Sequence, residues 1–255
     1  MENGNIDGKI LFEDKRGARI LFKTMAVAAT LLLIVGLMFV TFTAVAYNRA
    51  FYRMEHNMWS TRSELGIDQD DLDRVVDQLI RYFTRPKQSL QVEVEFLRDA
   101  PGSDARDFYT EDAISHMADV KKMFTAVHYM AGFFTGGALA MFAAIFLFDK
   151  KRRRKTLADG AFWGAGAFLL ISVLIGGIML YDFEWGFTLF HEVFFRKQGN
   201  WQFPMGDTLI TLLPEELFMH AAFIILFVGL AAAAALFIYG LTSKIRRRKQ
   251  VTNVD

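Results

Sequence analysis

Four stretches of the chain are apolar almost without interruption: residues 25–48 and 160–181 carry no charge and no histidine, 123–148 contain only His128, and 217–243 only His220. Each exceeds the roughly 20 residues that a helix rising 1.5 Å per residue needs to cross a ~30 Å hydrocarbon core. The pattern predicts transmembrane helices at 24–48, 123–148, 160–181 and 217–243. The first run is too long for a cleaved signal and is followed by Tyr47-Asn48-Arg49 rather than a small-x-small site, so it reads as a retained anchor.

Between the first two runs the pattern changes period. Asp68 is placed to cap a helix, with Asp70 and Asp71 in its first turn, and Leu72, Val75, Val76, Leu79 and Phe83 form one apolar stripe that ends before Pro86. Leu90, Val92, Val94 and Phe96 then alternate with Gln91, Glu93 and Glu95, which predicts a half-buried strand. Pro101-Gly102-Ser103-Asp104 is a turn signal, and from Thr110 a helical pattern runs without a break into the second apolar run. A small α+β cap over residues 49–122 is expected. Residues 182–216 are different: eight Phe and Trp residues fall between Phe183 and Phe203, too apolar for a solvated loop and too interrupted for a span. That segment is predicted to lie in the membrane interface as partly irregular backbone.

Charge orients the chain. Lys and Arg cluster at 150–155 and at 244–249, and Lys15, Arg16, Arg19 and Lys23 precede the first run. Short basic segments stay in the cytoplasm, so all three clusters agree on both termini inside, with a cytoplasmic segment at 1–23, a basic loop at 149–159 and a basic tail at 244–255. The predicted fold class is an α-helical integral membrane protein of four helices with a small extracytoplasmic cap. The basic clusters read as topogenic charge with anionic-lipid contact, and no nucleic-acid role is implied. The chain contains no cysteine, which excludes disulfides, thiolate metal sites and a cysteine acyl-enzyme. No serine elbow, zincin helix or phosphate loop is present, and His191-Glu192 lacks the second zincin histidine.

Histidines near the predicted outer boundary remain. His116 has Asp112 four residues before and Asp119 three residues after it on the same helical face, where a carboxylate would raise its basicity; the competing reading is an exposed histidine among helical charges. His191 sits in the aromatic segment beside Glu192 and near Arg196 and Lys197, as a functional group or as an interfacial ring. His220 and His128 suit helix–helix hydrogen bonding, and His56 reads as a surface residue among charges. The Phe-rich stretch is membrane contact or an acyl-chain groove, and Gly199, Trp201 and Pro204 suggest a shaped turn.

Two segments in order resemble the bacterial lipoprotein intramolecular transacylase family, Lit. One is Glu111-x4-His116-Met117-x-Asp119-Val120-Lys121-x2-Phe124; the other is Phe190-His191-x2-Phe194-Phe195-x3-Gly199-x-Trp201-x-Phe203, continuing to Asp207, Leu209-Ile210, Leu212 and Pro214-Glu215-x2-Phe218. The resemblance implies a multi-pass enzyme of the bacterial cytoplasmic membrane, working at the extracytoplasmic face. It would move the sn-2 acyl chain of a diacylglyceryl-modified lipoprotein to the α-amino group of its cysteine. It also implies His116 and His191 as the catalytic pair; Asp119, Asp112, Lys121, Glu192 and Arg196, close to them in sequence, are read here as supporting residues. Phe194, Phe195, Trp201 and Phe203 would contact lipid substrate. No metal or other cofactor is called for, because the amine and ester belong to one bound molecule and two histidines can divide the proton transfers. A monomer among membrane lipids is expected. Two other classes compete: a non-enzymatic scaffold or receptor whose acidic cap binds an extracytoplasmic partner, and a metalloenzyme using His116, His191 and a carboxylate.

Overall fold

The structure is a computed structural model that describes residues 3–97, 105–195 and 201–252. The expected turn at 101–104, together with Arg196, Lys197 and Gly199, lies outside the described residues. The order of elements is α1 (Asn3–Ala46), α2 (Arg49–Met58), α3 (Thr61–Leu65), α4 (Gln69–Thr84), β1 (Glu93–Val94), β2 (Arg106–Asp107), α5 (Glu111–Phe148), α6 (Arg153–Tyr181), α7 (Phe183–Phe195), α8 (Thr208–Leu212) and α9 (Glu215–Thr252). Among the described residues four helical segments are long and apolar enough to cross a membrane: Arg16–Ala46, Glu111–Phe148, Arg153–Gly177 and Glu215–Gln250. At 38 residues, α5 spans about 57 Å, well beyond a hydrocarbon core; its charged first turns, 111–122, precede the uncharged run.

The chain forms two compact units. The first is drawn from Met1–Met38, Met130–Ile178 and Phe227–Asp255. In an apolar solvent burial of apolar surface does not drive helices together, so close packing of small residues must. Gly160 and Gly164, one turn apart on α6, sit against Ala26 and Thr30 of α1: a Cβ at Gly160 would lie 2.5 Å from Ala26 Cβ and 2.7 Å from its carbonyl carbon. At one end of this unit Arg247 Nη2 of α9 donates to Asp159 Oδ1 of α6 at 2.6 Å. The basic stretch expected as a loop at 149–159 is mostly helix, because α6 begins at Arg153 and only 149–152 connect it to α5. Nothing in Arg153-Arg154-Lys155 opposes helix, and these residues simply extend α6 past its apolar part.

The second unit comprises Phe39–Tyr129 and Met179–Leu226. Asp68 caps α4 by accepting from Asp71 N–H at 2.7 Å, and Leu72, Val75, Val76, Leu79, Tyr82 and Phe83 face inward. They join a core completed by Phe51 and Tyr52 of α2, Phe108, Tyr109, Met117 of α5 and Leu209, Leu212 and Leu217. The strand expected over 90–96 shortens to a two-residue ladder, Glu93 opposite Asp107 and Val94 opposite Arg106. Its in–out alternation survives, with Leu90 and Val94 buried and Glu93 and Glu95 exposed. Its backbone groups find other partners: Glu95 N–H donates to the buried Asp71 carboxylate at 3.0 Å, Leu97 N–H to the Gly66 carbonyl at 2.7 Å, and Phe108 N–H to the Val92 carbonyl at 2.9 Å.

Within the aromatic segment, residues 183–195 form the regular helix α7. Asp182 accepts from Trp185 N–H at 2.8 Å at its start, and Phe187, His191 and Phe195 recur every four residues on one face.

The close approach at Gly160 predicts the effect of filling it. Gly160→Val must displace backbone of α1, so the detergent-solubilised protein should melt at markedly lower temperature, by a cost of about 1–3 kcal/mol or more. Gly132→Ala, where a Cβ meets nothing within 4 Å, should melt as the parent does.

Candidate active site

Two helices of the second unit bring two histidines together. His116 lies in the second turn of α5, whose cap is Thr110: its hydroxyl accepts from Ala113 N–H at 3.2 Å. The buried neighbours Ala113 and Met117 put this face of the helix against the core. His191 lies on the inward stripe of α7. The ring centroids are 6.1 Å apart and 24° from parallel, and the side chains are 6% and 9% exposed.

Aromatic rings enclose the pair. Phe195 packs edge-on to His116 at 4.9 Å and beside His191 at 5.5 Å. Phe187 covers His191 at 4.2 Å, and Trp201 stacks on it at 5.0 Å. Phe203, two residues on, meets His116 edge-on at 5.6 Å. The turn at 201–203 thus supplies one ring to each histidine.

Hydrogen bonding distinguishes the two imidazoles. His191 Nδ1 lies 2.8 Å from the Phe187 carbonyl oxygen, and a carbonyl can only accept. The proton therefore sits on Nδ1, and Nε2 of the neutral ring carries the lone pair. His116 Nδ1 is buried and finds no hydrogen-bond partner among the described residues. Leaving such an atom unpaired costs about 1–3 kcal/mol. Burial pushes His116 down to about 4, with the neighbouring imidazole acting in the same direction and Asp119 opposing. Burial also lowers His191, against the bond to Phe187. Both rings are held in the neutral, proton-accepting form.

The expected carboxylate partners do not engage the histidines directly. Asp119 pairs with Lys122 Nζ at 2.8 Å and reaches His116 only through its field, while Asp112 is exposed at the start of α5. Lys121 turns away to clamp the end of α4, donating to the Arg85 and Pro86 carbonyls at 2.9 and 3.3 Å and lying 4.1 Å from the centre of the Tyr82 ring. Glu192 is exposed on α7, and Arg196 lies outside the described residues. Among the rings expected to meet lipid, Phe195 is 3% exposed and forms the wall of the histidine pair, whereas Phe194 is 60% exposed. No group of three or more His, Asp and Glu among the described residues could hold a metal ion.

A second polar constellation escaped the sequence reading. Glu55 of α2 is fully buried and accepts from His220 Nδ1–H of α9, at 2.9 and 3.1 Å to its two oxygens. His56, expected at the surface, is buried and donates from Nε2 to the Leu212 carbonyl at 2.9 Å. The available signal was spacing: Phe51, Tyr52, Glu55 and His56 share one face of α2, so Glu55 and His56 follow two core aromatics inward. These bonds tie α2 to α8 and α9.

A family model described as lipoprotein intramolecular transacylase Lit matches residues 26–218. Similar solved structures include the membrane integral lipoprotein intramolecular transacylase Lit from Bacillus cereus. A form with a histidine-to-arginine substitution is 22% identical and covers 95% of this chain and 99% of its own, with a TM-score of 0.65. Another structure of the same protein is also 22% identical, covers 92% and 99%, and has a TM-score of 0.63. At that identity the likeness is one of fold. No curated protein matches the chain.

The electrostatics of the pair predict a titration. An ordinary imidazole, near 6.5, is mostly protonated at pH 5.5, but His116 should remain neutral there. Ring-labelled histidine NMR of the detergent-solubilised protein should therefore retain at pH 5.5 a neutral imidazole signal that disappears in His116→Ala.

Proposed function

The chain belongs to the Lit family of lipoprotein intramolecular transacylases, and we propose that it carries the sn-2 acyl chain of a diacylglyceryl-cysteine lipoprotein from oxygen to nitrogen, giving the N-acyl lyso form. The observation that supports this reading is the stacking of His116 and His191 inside a shell of aromatic rings. The substrate's α-amino group and its own ester reach the pair in one molecule, so positioning supplies much of the catalysis and no acyl-enzyme is needed.

The protons define the roles. The substrate amine loses its ammonium proton, attacks the ester carbonyl and forms a tetrahedral adduct; the N–H proton is removed and the bond to the sn-2 oxygen breaks as that oxygen takes a proton. The balance is one amide, one alcohol and one proton released. His191, with Nδ1–H committed to Phe187, accepts at Nε2; His116, neutral and lacking a partner at Nδ1, passes a proton to the departing oxygen. Dry aromatic walls keep water from hydrolysing the ester and strengthen every hydrogen bond within the site. The exposed Phe194 and Phe190 of α7 extend this apolar surface outward, where acyl chains would lie.

In this reading the protein is a monomer of the bacterial cytoplasmic membrane, with both termini inside, and the histidine pair lies at the extracytoplasmic face under the acidic cap. The basic clusters at 150–155 and 244–249 support that orientation. The lack of native cysteine makes the chain its own labelling background. Asp70→Cys, at an exposed position of α4, should react with an impermeant maleimide in intact cells, and Lys151→Cys should not; the reverse pattern would invert the topology.

Mass spectrometry of a lipoprotein amino terminus tests the reaction. The parent should convert diacylglyceryl-cysteine into the N-acylated lyso form with the acyl count unchanged, whereas an added chain would mean transfer from a phospholipid. His116→Ala and His191→Ala should each lower turnover by about 10²–10⁴-fold in protein that still inserts and melts as a folded species. Near-parental turnover in both would remove the mechanism.

A further inference from the structure

One groove of the second unit is lined by residues other than the two histidines. It has a volume of about 840 Å³, within the range of ligand sites, and is walled by Glu64 of α3, Arg106 and Asp107 of β2, Met205, and Ile210 of α8. We propose that this groove holds the polypeptide segment that follows the lipidated cysteine, a reading that rests on the transacylation proposed above.

Continuity with the histidine pair supports the assignment. The groove reaches Thr110, the cap of α5, and His116 lies six residues further along the same helix, about 9 Å away along its axis. It also includes Met205 and Gly206, just past Phe203, whose ring touches His116. Three residues of extended chain cover about 10 Å. A lipoprotein whose amino-terminal cysteine is held at the histidines would therefore enter this groove with roughly its fourth residue.

The lining chemistry selects a polypeptide. Four carboxylates, of Glu64, Asp107, Asp207 and Glu216, face one guanidinium, Arg106, which lies 4.2 Å from the centre of the Phe96 ring. That balance repels a lipid phosphate and is too polar for an acyl chain. Backbone amides and basic side chains suit it. Tyr109 also lines the groove, and its hydroxyl is buried without a hydrogen-bond partner among the described residues.

Synthetic diacylglyceryl-cysteine peptides carrying one, four or eight residues after the cysteine test this with the full-length protein in lipid bicelles. KM should fall about tenfold or more from one residue to eight, and eight-residue peptides rich in Lys should have lower KM than those rich in Asp. Ile210→Trp, which fills the groove, should erase the length advantage. The exposed Glu64→Lys should narrow the preference for Lys, and it keeps the test open should the larger side chain impair folding. Conversion of every peptide with one KM, indifferent to length and charge, would overturn the groove assignment and leave the transacylase reading intact. Failure to convert any peptide would sink the reaction itself, and the groove with it.

Discussion

Polar groups buried in the second unit must be satisfied from within, and this constraint arranges its helices. Leaving one unpaired costs about 1–3 kcal/mol, a sizeable fraction of a typical folding free energy. Glu55 answers to His220, His56 to the Leu212 carbonyl, and Asp71 to Arg74 and the backbone of Glu95. Each bond crosses between elements far apart in sequence or fixes the start of one, so together they hold α2, α4, α8 and α9 in register around the core. Against that pattern, the Tyr109 hydroxyl and Nδ1 of His116 are buried without a partner among the described residues.

The same burial that leaves His116 unpaired also keeps it neutral. An imidazole pushed to about 4 is a weaker base than one in water, which would be a poor choice if it had to strip a proton from a distant solute. In the reaction proposed above the base is therefore His191, and His116 gives a proton to the departing oxygen. The aromatic shell from α7 and the 201–203 turn thus does two things at once: it fixes both rings, and it sets their protonation without a carboxylate in contact with either.

Much of this arrangement was legible in the sequence where a local rule decided it. The cap at Asp68 and the stripe through Phe83 follow from helix chemistry alone, and the four apolar runs follow from bilayer thickness. The strand over 90–96 was half right, since alternation reports burial but not the partner; here Asp71 and Gly66 take bonds that a longer ladder would have taken. The helicity of α7 was obscured because Phe and Trp crowd every face, which hides the four-residue recurrence of Phe187, His191 and Phe195. The approach of His116 to His191, 75 residues apart, could be anticipated only by resemblance to a family, since no spacing rule links two separate helices. Asp112, Asp119 and Lys121 show the limit of helical-face reasoning: a shared face places charges near His116, but competing partners at Lys122, Arg85 and Pro86 draw two of them away.

The second unit holds two pairs of polar side chains whose hydrogen bonding differs. Glu55 and His220 are as well placed for proton transfer, by distance alone, as His116 and His191, and a search for titratable pairs would rank them equally. In the Glu55–His220 pair the carboxylate has both oxygens on one imidazole nitrogen. In the His116–His191 pair one ring spends its donor on a backbone carbonyl, and Nδ1 of the other finds no partner among the described residues. In the reaction proposed above the His116–His191 pair moves the protons, while the Glu55–His220 bond joins α2 to α9.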